Sequence, residues 1–412
     1  MHKRTHQAPK AYPKISLLIC LLIVFLTSCQ LPGLTKSAAQ NGLSQPTSNP
    51  QSLPTQHKPI PTHSFPNCSP NISPYFTRNA LPIAIISNPK SSGTGLASLA
   101  QPHNIHIGTA VSAKLLDDEN YASLLASEFS MVTPEVDMKW ENIHPEPERF
   151  DFTRGDTIVA FARLHQMQVY GHVLIWDLQL PEWITSGQYT RDQWIQILCH
   201  HVKSVVGHYR GQIYAWDVVN EALDENGNLR DTIWMRNIGP EYIPMAFHWA
   251  READPNAILV YNDFMAEGMN PKSDGLYKFI QMLLQQNVPI DAIGLQMHTY
   301  LDGPPPFQEL VQNMQRLSDL GLSIFITEMD VKLQYSQAAP FDKLEQQAEL
   351  YKQVFFACLL TSNCRGFSTW GLTDYYSWIP DYTGKDDAPL LFDRKGQPKP
   401  AYHAIMDLLQ NP

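Results

Sequence analysis

Basic runs are missing from the 412 residues, and the formal net charge is −10. Nucleic-acid binding draws on clustered Lys and Arg that neutralise phosphates, so a nucleic-acid partner is excluded. There are 6 cysteines, yet no CxxC pair and no His/Cys cluster has the spacing of zinc ligands. No glycine-rich fingerprint follows an apolar run, which argues against a doubly wound nucleotide-binding sheet. The N-terminal apolar stretch, "ISLLICLLIVFL", is shorter than the roughly twenty residues of a spanning helix. What is abundant is apolar and aromatic: 43% hydrophobic residues, with 9 Trp and 17 Tyr. That is ample for a core, and the flat rings suit stacking on ligands as well as packing.

The ends of the chain differ in character. Residues 1–29 pair a basic start with that apolar stretch and close on Leu26-Thr27-Ser28-Cys29. The tetrad resembles the bacterial lipobox, which would make Cys29 the lipidated first residue of the mature protein. An ordinary secretory signal and an uncleaved short anchor are the alternatives, and each puts the remainder outside the cytoplasm, at the cell surface or beyond it. Residues 30–92 are a Ser/Thr/Pro-rich spacer expected to be disordered, ending in a short segment, "LPIAIIS", without a firm assignment. An oxidising compartment favours disulfides. Cys358 and Cys364 would bridge the end of a helical pattern and the start of an apolar strand, whereas Cys68 either pairs with Cys199 or stays free.

From residue 93 to 412 the sequence alternates. Eight apolar runs of strand length, "IHIGTAV", "SMVTPEV", "QVYGHVLIW", "IYAWDVVN", "AILVYNDF", "AIGLQMHT", "SIFITEMD" and "GFSTWGLTD", are separated by segments of helical periodicity. Eight such units predict an α/β fold, a (β/α)8 TIM barrel closed by a parallel sheet. Within each run the apolar residues come first and the polar ones last. In a barrel the C-terminal strand ends share one mouth, where active sites are built, so these polar residues are expected to converge.

Two of the ends carry a glutamate: Glu221 in "WDVVNEA" and Glu328 in "FITEMD". Paired carboxylates suit glycosidic cleavage, one protonating the leaving oxygen while the other attacks the anomeric carbon or activates water. "WDVVNEA", "ITEMDV", "GLQMH", "GHVLIW", "MKW", "WGLTDYYSW" and "PLLFDRKGQPKPAY", in this order over about residues 105–402, resemble the glycoside hydrolase family 10 endo-β-1,4-xylanases. The resemblance implies a retaining enzyme that needs no metal or organic cofactor and works on xylan or a related β-1,4-glycan, and a monomer is expected. It implies Glu221 as acid/base, Glu328 as nucleophile, Asn220 at the sugar 2-hydroxyl, and His298 on the nucleophile, oriented by Asp330. It also implies sugar contacts from Glu135, Lys139, His172, Trp176, Gln179, Gln296, Trp370 and Trp378. Asp137 and Trp140 are read as bracing the loop, and Trp183, Trp194, Trp216, Trp234 and Trp249 as packing.

The sequence also departs from the family pattern. Val136 and Met265 stand where the family usually has Asn, Asp177 where it usually has His, and Glu148 where it usually has Gly. No catalytic group is removed by these changes, so they bear on subsite strength. They keep open a retaining glycosidase for another β-glycan or for short xylo-oligosaccharides. A non-catalytic glycan-binding lipoprotein is the remaining alternative, and the presence of both glutamates speaks against it.

Overall fold

The computed structural model describes residues 95–411. The signal, Cys29, the spacer, "LPIAIIS" and Cys68 lie outside the described residues. Nine strands form: β1 (His106–Val111), β2 (Met131–Pro134), β3 (Gln168–Gly171), β4 (Ala215–Asn220), β5 (Ile258–Asp263), β6 (Ala292–Leu295), β7 (His298–Tyr300), β8 (Ser323–Lys332) and β9 (Cys364–Thr369). β1 pairs with β2 on one side and β9 on the other, β6 with β8, and all pairings in the ring are parallel. The sheet therefore closes as the (β/α)8 barrel that the alternation predicts. The ninth strand comes from the sixth apolar run. "AIGLQMHT" breaks after Leu295, Met297 takes a left-handed φ of 65°, and His298–Tyr300 resumes against the far half of β8. The third run is also cut short: β3 stops at Gly171, ahead of a cis His172–Val173 peptide.

Strand alternation sorts the core into two layers. Met131, Tyr170, Ala215, Ile258, Val260, Ala292 and Phe325 fill the barrel interior, while the outward residues pack under the helices. Parallel strands buried on both faces read as continuous apolar runs, as these eight do. The helix Arg191–His208 shows the local logic. Thr190 and Gln193 form a reciprocal capping box at its start, satisfying two otherwise unpaired N–H groups. Its apolar residues, Trp194, Ile197, Leu198, Val202 and Val205 among them, lie on the buried side.

The tryptophans read as packing residues do pack. Trp194, Trp216, Trp234 and Trp249 are buried and Trp183 is half-buried against them. Trp140 stacks on His201 at 3.6 Å between ring centroids and donates to the Leu174 carbonyl. Asp137 accepts from the Ala113 amide at 2.8 Å, so it braces the β2 loop as expected. Cys358 and Cys364 are disulfide-bonded, tying the helix Pro340–Leu360 to β9. Cys199 is disulfide-bonded as well.

One close approach sets the spacing of β3 and β4. A Cβ at Gly171 would lie 2.2 Å from Cε3 of Trp216, whose indole is fully buried. Gly171→Ala is expected to destabilise the barrel by about 1–3 kcal/mol. Thermal unfolding checks this, and an unchanged Tm would show that the indole can move aside.

Candidate active site

The C-terminal strand ends gather the polar residues into one continuous hydrogen-bonded group. Glu221 follows β4 and Glu328 lies in β8. Gln296, just after β6, donates its amide to Glu221 Oε1 at 3.0 Å and to Asn220 Oδ1 at 3.1 Å. Asn262, in β5, donates to the same Asn220 oxygen at 3.0 Å and to Glu328 Oε1 at 2.7 Å. The two carboxylates are thus connected through three amide side chains. Gly294 makes room for this, because a Cβ there would sit 2.2 Å from Asn262 Oδ1.

Glu328 is only 4% exposed, and a buried carboxylate is costly unless donors surround it. Besides Asn262, His298 faces it with Nε2 at 3.2 Å from Oε2. The other ring nitrogen of His298 lies 2.7 Å from Asp330 Oδ2, which also accepts from Trp378 Nε1 at 2.9 Å. Burial alone would strip the imidazole of its second proton. Asp330 and Glu328 outweigh that penalty and lift His298 to about 10. Burial likewise opposes ionisation of Asp330, but His298 and Lys332 hold its carboxyl below the usual range. His298 is therefore an imidazolium at neutral pH, donating to a carboxylate from each nitrogen.

Beneath Glu328 lies a second pair. His172 Nδ1 and Asp217 Oδ2 are 2.8 Å apart, and Tyr170 donates to the other Asp217 oxygen at 2.6 Å. Burial pushes the Asp217 carboxyl well up and the His172 imidazole well down. His172, Asp217 and Glu328 bring potential ligand atoms within 4.8 Å of one another. These ligand atoms are already spent on protein partners: His172 and Asp217 bond each other, Tyr170 donates to Asp217, and Asn262 and His298 face Glu328.

The remaining predicted residues line the same mouth. Lys139 Nζ donates to Gln179 Oε1 at 2.8 Å and lies 4.7 Å above the Trp176 ring and 5.9 Å from that of Trp370. Burial pulls Lys139 down, while Glu328, Glu135 and Glu221 resist the loss of its proton. Burial raises Glu135, against the pull of Lys139. Trp370 meets His172 edge-on at 5.0 Å, and Trp378 meets His298 at 5.2 Å. Trp176 Nε1 is a buried donor without a protein acceptor. The mouth thus offers indole faces, a cation and several amides around two carboxylates, the composition of a sugar-binding cleft.

The sequence matches the family described as Glycosyl hydrolase family 10 over residues 95–408. The chain belongs to glycosyl hydrolase family 10. It is 42% identical over 331 residues to endo-1,4-beta-xylanase B of Thermotoga neapolitana, covering 80% of this chain and 95% of that one. It is 38% identical over 304 residues to an endo-1,4-beta-xylanase of Agaricus bisporus, covering 73% and 90%. The crystal structure of xylanase 10B from Thermotoga petrophila in complex with xylobiose superposes with a TM-score of 0.74 at 42% identity, covering 77% of this chain and 97% of that chain.

Sequence reasoning missed three residues of this family 10 site. Asn262 lies next to last in the strand Ile258–Asp263, within the polar end of the run "AILVYNDF", and that position was signal enough. Asp217 had a signal too, a lone carboxylate inside the buried run "IYAWDVVN". Arg230 had none. It stands in the loop after β4, and only the fold brings its guanidinium to the Glu221 carbonyl, 2.7 Å away.

The His298 linkage has a definite sign. Its folded-state value, about 10, lies above the ordinary 6.5, so its stabilising contribution is complete below about pH 6.5 and is lost as pH rises through 10. Asp330→Asn leaves Glu328 alone to balance the buried imidazolium and is expected to cost about 3–5 kcal/mol at pH 6. Denaturant unfolding at pH 6 and near pH 10.5 measures it, and the gap from the parent protein should narrow at the higher pH. A gap that is small at pH 6 would show that the ion pair carries little stability.

Proposed function

We propose that this family 10 chain is a retaining endo-1,4-β-xylanase, with Glu328 as nucleophile and Glu221 as acid/base. The observation that carries the reading is the pair of glutamates on separate strand ends of one mouth, joined through Gln296, Asn220 and Asn262. Their surroundings divide the labour. Glu328 receives N–H donors on both oxygens, which suits a carboxylate that attacks C1. Glu221 has one oxygen fixed by Gln296, leaving the other for proton transfer.

In the first step a Glu328 oxygen bonds to C1 while the bond from C1 to the leaving oxygen breaks, and that oxygen takes the proton from Glu221. In the second, Glu221 removes a proton from water, the water oxygen bonds to C1, and Glu328 is released as a carboxylate. Asn220 beside the acid would hold the 2-hydroxyl of the reacting sugar. Glu135, Lys139, His172, Trp176 and Gln179 would bind the non-reducing side, and Trp370 and Trp378 would form the aromatic wall. The relatives' described activity, endo-1,4-beta-xylanase, supports xylan as the substrate. The lipobox-like tetrad supports export and tethering through Cys29. Val136 and Met265, which replace amides of the family pattern, favour a second reading, a preference for short oligosaccharides or another β-glycan.

Glu221→Ala and Glu328→Ala are each expected to lower turnover of xylan ~10²- to 10⁴-fold or more. NMR of the first-formed anomer should show β-product, and early α-product would contradict retention. Rates on xylan, mixed-linkage glucan and a ladder of xylo-oligosaccharides decide between the two substrate readings. Restoring the amide with Val136→Asn should strengthen one subsite by about 1 kcal/mol, roughly a fivefold fall in KM on oligosaccharides that reach it. An unchanged KM would place the side chain outside the subsite.

A further inference from the structure

Arg230 and Asp177 form an ion pair against the glutamate read above as the acid/base. Arg230 Nη1 donates to the Glu221 main-chain carbonyl at 2.7 Å and lies 3.6 Å from Glu221 Oε2. Its Nη2 donates to Asp177 Oδ2 at 3.2 Å. The three side chains are 28%, 17% and 14% exposed, in the order Arg230, Asp177, Glu221, so solvent screens them only in part. Glu221 itself holds a left-handed φ of 57°, a conformation that persists only where surrounding contacts enforce it. The guanidinium on its carbonyl is one such contact, and its N–H donation to the Asn262 carbonyl at 2.9 Å is another.

This arrangement poses a problem for proton donation. A cation within about 4–6 Å of a carboxyl favours the ionised form, and a leaving-group acid must keep its proton until substrate arrives. Asp177 puts an opposing charge on the far side of the guanidinium. It stands where the family pattern has His, and a neutral His could not do so. Its second oxygen is buried without a protein partner, so only half of the carboxylate is used in holding Arg230. We propose that Asp177 is a positioning residue for the proton-transfer step: through Arg230 it fixes the Glu221 backbone and offsets the guanidinium charge, keeping Glu221 a proton donor to higher pH than Arg230 alone would allow.

Other charges face this group and stay constant in the test. Lys139 after β2 and Asp263 at the end of β5 act on Glu221, and Arg236 of the helix Ile233–Asn237 acts on Asp177. Asp177→Asn keeps an oxygen that can accept from Arg230 and removes only the charge.

The inference rests on Glu221 being the acid/base, so Glu221→Gln is measured alongside. The readout is kcat/KM against pH on an unactivated xylo-oligosaccharide, whose leaving group needs a proton, and on an aryl xylobioside whose good leaving group does not. For Asp177→Asn the basic limb on the oligosaccharide should move down by roughly one pH unit, about a tenfold loss above that limb, with little change on the aryl substrate. Asp177→Glu should restore the limb. Arg230→Met, which leaves Asp177 facing Glu221 without the cation, should move the limb up, and it provides the test should Asp177→Asn not fold. Limbs that coincide with the parent protein, or that shift in the same direction in both variants, overturn the inference. Parent-like oligosaccharide turnover by Glu221→Gln would instead overturn the reading of Glu221.

Discussion

Two mostly buried carboxylates at one barrel mouth repel each other and resist burial, and much of the site is organised around making that arrangement tolerable. The uncharged amides of Gln296 and Asn262 reach both glutamates and meet on one oxygen of Asn220. Amides satisfy a carboxylate without adding a charge that would need its own partner. Among the described residues the basic side chain in hydrogen-bond reach of Glu328 is His298, and it is matched at once by Asp330 on its other nitrogen. Each ion in the chain of contacts is therefore answered by a neighbour, as a low-dielectric interior requires.

The barrel supplies the geometry for this. Parallel strands all point their C-terminal ends at the same mouth, so Asn220, Asn262, Gln296 and Glu328 arrive from neighbouring strands without long loops. The turns that follow are less relaxed. Gln179, Glu221, Met265 and Met297 all have positive φ without being glycine, and all four stand just beyond or near strand ends at the mouth. Such residues cost free energy locally, which the buried network around them can offset. Near them, His172 and Tyr170 both bond the buried Asp217, which gives that carboxyl partners of its own beside Glu328.

Much of this was legible in the sequence because barrel strands are buried on both faces. Eight apolar runs with polar ends identify the fold and, by the same pattern, place Glu221, Glu328, His298, Asp330 and the cleft residues around one opening. Asn262 was legible on that rule, as a polar residue near the end of an apolar run. Contacts made by loops were not legible. Arg230 reaches Glu221 through a loop whose path depends on turns at Asp224 to Asn228, and no periodicity encodes that path. The break of the sixth run was hidden too, since Met297 is apolar and continues the pattern while its backbone leaves it.

The departures from the family pattern can be weighed by where they fall. Met265 is 52% exposed, and Val136, although half-buried, meets the Asn142 side chain through its main-chain carbonyl. Changing such positions leaves no buried ion without a partner. A change at Asn262 or Asp330 would, because each is buried and bonded to an ionised neighbour, Glu328 and His298 respectively. The rim can therefore vary in how firmly it grips a sugar while the interior keeps one solution to the carboxylate problem. Asp177 belongs to neither group: it is only 17% exposed, yet it differs from the family pattern. A half-buried position can accept a carboxylate there because Arg230 is at hand to pair with it, so the two residues are one physical feature rather than two.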